Sequence, residues 1–374
     1  MLKKITICLF LFGLTFSGGL RALGASKNEP LAMPIIPSIR AMGNAYTAVS
    51  NDEYSVFYNP AGYATIKDSV VTVFSLGIKA NIDDPALNLY NAIVSGKNVT
   101  STSNLTTYFS DITVSPGIAG PIYFGRVGDN YGFAFYNNIY AVIDTQPGAI
   151  IPSASFYGYG DLGFIGGYGL NIPFIEGLSA GFNLKVILRV KSSIEGTIIY
   201  LVDTLEDTSN IPIGKAIGFG GDIGLLYQPV SFLKIGLNFR DFFGTHFSSW
   251  ESLTSASTSF SKSYIKPRIA FGIALYPLAT MSEENNFENL VIALDYTDLL
   301  NYSNFLGKIK FGVGINAFKI IRLRGGLDGG FLSGGIGFDL KIFHLDIAYY
   351  VDELGAYQGA NPVQNLMLNF AFKW

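Results

Sequence analysis

The side chains able to carry chemistry are few and scattered. Two histidines occur, His246 in a segment read as a loop and His344 in one read as a strand, and neither stands at a metal-ligand spacing or beside a serine elbow. Nucleophilic catalysis needs a placed nucleophile and base; no such set is legible, so the sequence points away from an enzyme and calls for no cofactor and no metal. The run GGLDGGFLSGGIGFDL is glycine-rich, but no P-loop lysine follows it, and glycines in strands permit bends or close packing. A net charge of −3 argues against nucleic acid as a partner. What does recur is charge at every second position: Lys185, Arg189, Asp222, Lys234, Arg240, Arg268, Asp295, Lys310, Arg322, Arg324, Asp339, Lys341, His344 and Asp346. The chemistry open to such a set is mutual pairing on one face of a sheet, with a cation surplus able to steer an anionic group.

Those positions require strands. In GLSAGFNLKVILRVK, Leu178, Ala180, Phe182, Leu184, Val186, Leu188 and Val190 alternate with a face that carries Lys185, Arg189 and Lys191. The split recurs at Leu233 to Arg240 and at His344 to Val351. A soluble sandwich also alternates, but its polar face must cover a solvated surface. Only 14% of residues are charged and 49% are hydrophobic, against roughly 25% charged in soluble domains. After the first 25 residues no apolar run approaches the ~20 residues of a membrane helix. An all-β, transmembrane antiparallel β-barrel satisfies both facts, with apolar residues toward lipid and charges toward the lumen, since a lipid-facing lysine near mid-membrane costs about 2–4 kcal/mol.

Strands are expected at 69–80, 111–125, 130–144, 155–171, 177–190, 214–228, 231–243, 262–277, 288–299, 306–317, 319–328, 332–341, 343–351 and 364–374, about 14 in all. Long connections then fall on one side, among them 81–110, 191–213 and 244–261, and tight turns on the other, with 278–287 as the exception. The apolar stretch 194–204 is assigned to an outer hairpin or ledge. No second helical outer loop is legible beyond the first.

Lys3 and Lys4, the apolar run from Ile5 to Phe16 and the small residues around Ala22-Leu23-Gly24 have the layout of a secretory signal. Residues 1–25 are therefore assigned to a signal peptide, 26–68 to a segment without strand period, and 69–374 to the barrel. The single cysteine, Cys8, falls in the signal, so the mature chain is expected to have no thiol.

Three features of the barrel sequence stand out. Pro116, Gly117, Gly120 and Pro121 within the second strand remove ladder donors and predict a bent or partly unpaired wall, a candidate lateral exit into lipid. The first outer loop predicts a short helix from Pro85 that offers Leu87, Leu89, Tyr90, Ile93 and Val94 as an exposed apolar groove for a lipid-like ligand. The chain ends on a strand with Phe370, Phe372 and Trp374 on one face, which resembles the assembly signal read by the barrel-insertion machinery.

The segment IRAMGNAYTAVSNDEYSVFYNPAGYA, 39–64, resembles the N-terminal hatch of the FadL-type superfamily of outer-membrane transporters for long-chain fatty acids and other hydrophobic compounds. The matching residues are Ala41, Met42, Gly43, Ala45, Ala48, Val49, Asp52, Asn59, Pro60, Ala61 and Gly62. The resemblance implies a 14-stranded barrel in the outer membrane of a double-membrane bacterium, plugged by this segment. It further implies a hydrophobic, fatty-acid-like ligand that leaves sideways into membrane lipid. The same wording occurs in the PorV-like branch, whose non-transporting barrels serve protein secretion or surface attachment, so that function stays open as the alternative.

Overall fold

The computed structural model describes residues 30–374 apart from 100, 110, 149–150, 207, 255–259, 261, 263, 280–286, 301–304 and 356. The expected signal segment 1–25, Cys8 included, lies outside the described residues, as does most of the 278–287 turn.

Fourteen long strands make one closed antiparallel ring. They are β1 Val70–Asn81, β2 Gly117–Gly128, β3 Tyr131–Gln146, β4 Ser153–Asn171, β5 Leu178–Thr197, β6 Ile213–Val230, β7 Leu233–Arg240, β8 Arg268–Leu275, β9 Phe287–Tyr296, β10 Ile309–Ala317, β11 Ile321–Asp328, β12 Phe331–Leu340, β13 Phe343–Glu353 and β14 Pro362–Lys373. Each pairs with its neighbours in sequence. The ring closes where β14 pairs with β1 from Lys373↔Thr72 to Asn365↔Asn81. Two- and three-residue strands at Thr113–Val114, Thr245–Phe247, Glu251–Ser252 and Tyr264–Ile265 extend the wall beyond the long ones. A closed ring leaves no free edge strand, the condition a sheet must meet to stand in lipid.

The alternation does what the sequence predicts. Along β5, Phe182, Leu184 and Val186 are exposed while Asn183, Lys185, Ile187 and Arg189 are buried. Leu225, Leu237, Phe271, Leu294 and Phe311 continue the outer apolar belt on β6 to β10. Long connections carry three helices, α3 Asp84–Val94, α4 Thr102–Tyr108 and α5 Ile198–Glu206. The stretch 194–204 therefore divides: β5 runs on to Thr197, past the expected end at 190, and a helix follows. Its β-branched residues suit a strand and tertiary packing overrides them; Ile198 and Leu201 join Phe156, Ile194 and Ile211 in a buried cluster. The outer side thus has a second and a third helix.

The largest apolar core sits inside the ring. Ile39, Met42, Tyr46, Val49, Val56, Phe57 and Tyr63 of the N-terminal segment pack on Tyr123, Tyr136, Ile165, Ala274 and Val291 of the wall. Within that segment, α1 (Pro37–Ala41) starts on a proline preset for a helix and α2 (Ser55–Tyr58) precedes a 3₁₀ turn over Pro60–Ala64.

Candidate functional site

The N-terminal segment is held inside the ring by wall residues on inward positions. Asp295 Oδ2 accepts from the backbone N–H groups of Tyr46 (2.8 Å) and Thr47 (2.7 Å). Asn183 donates to Val56 O (2.9 Å) and accepts from the Tyr63 hydroxyl (2.7 Å); Asn238 donates to Tyr58 O. Gly43 N–H donates to Ser333 Oγ at 3.1 Å. A segment with little regular structure has orphaned backbone groups, and the wall supplies partners for them.

Asn59 is the pivot of the motif. The proline that follows keeps it extended, at φ −154° and ψ 104°. Its Oδ1 accepts from Ala61 N–H (3.2 Å), capping the 3₁₀ turn, while its Nδ2 donates to Thr47 O (2.9 Å) and to Leu225 O of β6 (3.2 Å). Asn59 and Ala61 are fully buried, and Pro60 and Gly62 are buried with them.

Wall glycines receive this backbone, a feature that sequence reasoning passes over. A Cβ at Gly224 would lie 1.9 Å from Asn59 Oδ1, one at Gly181 2.3 Å from Pro60 O, and one at Gly236 2.4 Å from Thr47 O. Gly312 and Gly326 would collide with Met42 O and Gly43 N at 2.5 Å, and Gly335 with Ala41 Cβ at 2.7 Å. All six occupy inward registers, and Gly181↔Gly224 and Gly312↔Gly326 are direct cross-strand pairs. The available signal was glycine recurring on the charge-bearing face of successive strands. Gly43 itself has φ +59° and abuts Leu327 O and Phe311 O, so only glycine fits there.

At the base of the segment, Glu53 forms a buried ion pair with Lys373 (2.6 Å) beside the chain's last residue. Burial acts to raise the Glu53 carboxyl, and the Lys373 ammonium more than offsets it, holding the group below its ordinary range. Burial, then the adjacent Glu53 charge, push the Asp52 carboxyl up to about 6, although Tyr54 N–H donates to it at 2.8 Å.

Lys185, Arg189, Lys234, Arg240, Arg322 and Arg324 occupy inward registers, and four of these six are ion-paired, whereas Lys341, expected with them, is exposed in the turn after β12. Arg189 forms two 2.7 Å bonds to Asp161, donates to Pro30 O (3.0 Å) and lies over the Tyr159 ring. Lys185 meets Asp222 (2.8 Å) and Asp241 (2.7 Å). Arg324 pairs with Asp346 at 2.8 Å and Arg322 with Asp339. Lys234 is buried near the Tyr276 ring, and Arg240 lies over the Tyr58 ring, 5.2 Å from its centroid.

The wall is interrupted where expected. β1 and β2 pair from Val70↔Val127 to Thr72↔Gly125 and again from Gly77↔Ala119 to Lys79↔Gly117, with no register between. The β2–β3 ladder lapses between Ala119↔Asn138 and Tyr123↔Tyr136. Pro116 lies just before β2, and a Cβ at Gly117 would lie 3.7 Å from Ile35 of the N-terminal segment. Gly120 adopts φ +90° and its Cβ position lies 1.9 Å from Ser75 O, so β1 closes against the kink. Asn137 bridges the lapse: its Oδ1 accepts from Ile122 N–H (2.8 Å) and its Nδ2 donates to Gly120 O (2.7 Å). Pro121 leaves the ladder without a donor. Asn137 shares the lipid-facing register with Phe135, where a carboxamide is tolerable because its polar atoms are used. The expected opening is thus a bridged kink.

The outer groove needs one correction. Leu87, Tyr90 and Val94 are exposed on α3, but Leu89 is buried with Ala92, Val99 and Ile112, and Ile93 packs against that cluster. The helix folds onto its own loop, a tertiary contact that a single helix pattern does not contain. Phe372 of β14 and Trp374 just beyond it are exposed, and Phe370 of β14 is half-buried.

A cavity of about 710 Å³ lies within the ring, lined by Leu31, Met33, Ile35 and Ile36 of the N-terminal segment and by polar wall residues including Arg240, Arg268 and Asp298. A closed ring with an outward apolar belt and its charges turned inward has the build of a membrane-spanning barrel. Among solved structures, the chain is similar to the CymD monoaromatic hydrocarbon channel, at 12% identity over 91% of this chain and 97% of that one, with a TM-score of 0.50. It also aligns with the Pseudomonas putida toluene transporter TodX (12% identity, 91% and 99% covered, TM-score 0.48) and a Pseudomonas aeruginosa FadL homologue (10%, 92% and 99%, TM-score 0.47). No family model and no curated protein sequence matches the chain. The likeness is one of fold: the chain shares with the CymD channel structure a closed antiparallel β-barrel.

Proposed function

We propose that this protein carries hydrophobic small molecules, long-chain fatty acids or molecules like them, through the outer membrane, with residues 26–68 as the plug. The observation that supports this most is the seating of 30–66 on the glycine-lined wall, beneath a cavity large enough for a small amphiphile. Ligand lands on the outer apolar face of Leu87, Tyr90 and Val94, enters the cavity, and leaves past Ile35 toward the kink at Gly117–Pro121 once the plug shifts. Phe370, Phe372 and Trp374 serve assembly by the barrel machinery, and the reading is non-enzymatic. Mass spectrometry of small molecules extracted from protein purified without delipidation tests it. Near-stoichiometric fatty acid or another hydrophobic small molecule is expected; recovery of bulk phospholipid alone counts against it.

One observation favours the PorV-like alternative. The kink is bridged by Asn137 and closed by β1, as a non-transporting barrel would require. That reading predicts a stable complex with a soluble secretion or attachment partner; a pull-down recovering the assembly machinery alone argues against it.

A further inference from the structure

Along β6 the lipid-facing parity is apolar, with Ile217, Phe219, Ile223, Leu225 and Tyr227 exposed, until it reaches Lys215. From Tyr227 to Ile217 the strand rises about 33 Å, or roughly 25 Å along the membrane normal at a tilt near 40°, the height of the apolar band of a membrane barrel. Lys215 therefore stands at the membrane interface, on the side that carries the long connections.

Two short strands continue this face beside β6. Phe219, His246 and Tyr264 are successive cross-strand partners, and the His246 and Tyr264 rings stack with centroids 5.4 Å apart. Thr245, Phe247 and Ile265 are buried, so His246, Tyr264 and Lys266 point outward by alternation, and Lys262, two residues before Tyr264, shares that parity. Lys262 and Lys266 are exposed and form no ion pair among the described residues. Lys215 meets Glu251 at 3.1 Å, an exposed pair of little strength. Nearer the midplane, the turn 241–244 lays Phe242 and Phe243 on the outer wall. Both are exposed, their rings meet edge to face at 4.6 Å, and a Cβ at Gly221 would lie 3.2 and 3.1 Å from them. Glycine at that outward position makes room for an aromatic shelf beneath the cations.

We infer that Lys215, Lys262 and Lys266, with Phe219, Phe242 and Phe243 beneath them, form a lipid-facing binding site for a phosphorylated glycolipid of the outer leaflet. The lysines take its phosphates, and its acyl chains run down over the rings. Three ammonium groups against one exposed carboxylate, Glu251, favour a lipid that carries two phosphates over a zwitterionic one. Four residues of extended chain place Lys262 and Lys266 about 13 Å apart, a span that suits phosphates at the two ends of a disaccharide. The site faces the bilayer rather than the lumen, so it stands apart from the plug and from what the barrel carries.

Native mass spectrometry of the full barrel with added hexa-acylated bisphosphoryl lipid A, or with phosphatidylethanolamine, tests this. The wild type should hold the lipid A at least about tenfold more tightly, since each interfacial lysine adds attraction to an anionic lipid. The preference should fall to about one in Lys215→Gln/Lys262→Gln/Lys266→Gln and persist in Lys215→Arg/Lys262→Arg/Lys266→Arg. It should be untouched by Lys97→Gln, which removes an exposed cation of the first outer loop. Heat-modifiable electrophoretic mobility reports that each barrel is folded. Equal binding of the two lipids by the wild type overturns the site. An undiminished preference in the glutamine variant, or an equal loss in Lys97→Gln, overturns the assignment to these lysines. Displacement of the lipid A by inorganic phosphate would mark a site for free anions and overturns the lipid assignment.

Discussion

Two neighbouring arcs of one wall treat the same residue type in opposite ways. On β4 to β6, Arg189 is locked to Asp161 and Lys185 to Asp222, with Asp241 from the end of β7 joining Lys185, all with almost no exposure. On β7 and β8, Arg240 and Arg268 stand side by side, and neither has an ion pair among the described residues. The long arc, with strands of 16 to 20 residues from β3 to β6, is braced by ion pairs. The short arc, with strands of 8 residues, opens on the cavity. Truncating one member of a buried ion pair strands its partner, whereas truncating an arginine without such a pair strands no counter-charge.

The largest expected effect breaks the braced arc. Arg189→Ala strands Asp161 in a buried site and should cost about 3–5 kcal/mol, seen as a lower midpoint in heat-modifiability or urea denaturation; Arg240→Gln should stay within about 1 kcal/mol of wild type. Equal losses would erase the distinction between the arcs. Next, Gly224→Val drives a side chain into Asn59 and should cost about 1–3 kcal/mol. It should expose residues 30–68 to protease while the barrel keeps its mobility shift. Asn137→Ala removes two hydrogen bonds worth about 1 kcal/mol each; if the kink is the exit, ligand flux rises while the barrel loses about 2 kcal/mol and stays folded. The smallest effect is pH. Asp52 rises from its ordinary value near 3.9 to about 6 in the folded chain, so the folded segment binds the extra proton. It should therefore seat more tightly as pH falls from 7.5 to 5, while Glu53, held low by Lys373, stays ionised. Hydrogen exchange across 45–64 at the two pH values reads this, and Asp52→Asn should flatten the difference.

Much of the barrel was legible because lipid imposes a strict rule: charges keep to one parity of each strand, and 14 strands with one-sided long loops follow. The resemblance of 39–64 supplied the expectation of a plug, and residues of that segment pack inside the ring. Other parts were not, for physical reasons. Lys185 and Asp222 sit on different strands, so their pairing depends on a register that alternation alone leaves open. Gly181, Gly224 and Gly236 look like any strand glycines until the backbone they receive is present. Asn137 breaks the apolar parity of β3, a visible anomaly whose meaning needed the lapse in β2 across from it. Leu89 turned inward because Val99 and Ile112 return beneath α3.

The central claim, that this plugged barrel passes hydrophobic molecules, is tested most directly by uptake of labelled oleate in cells that carry the protein and matched cells that lack it. Faster uptake with the protein, raised further by Gly224→Val as the segment loosens, is the predicted result. Equal uptake in both cell lines would contradict it.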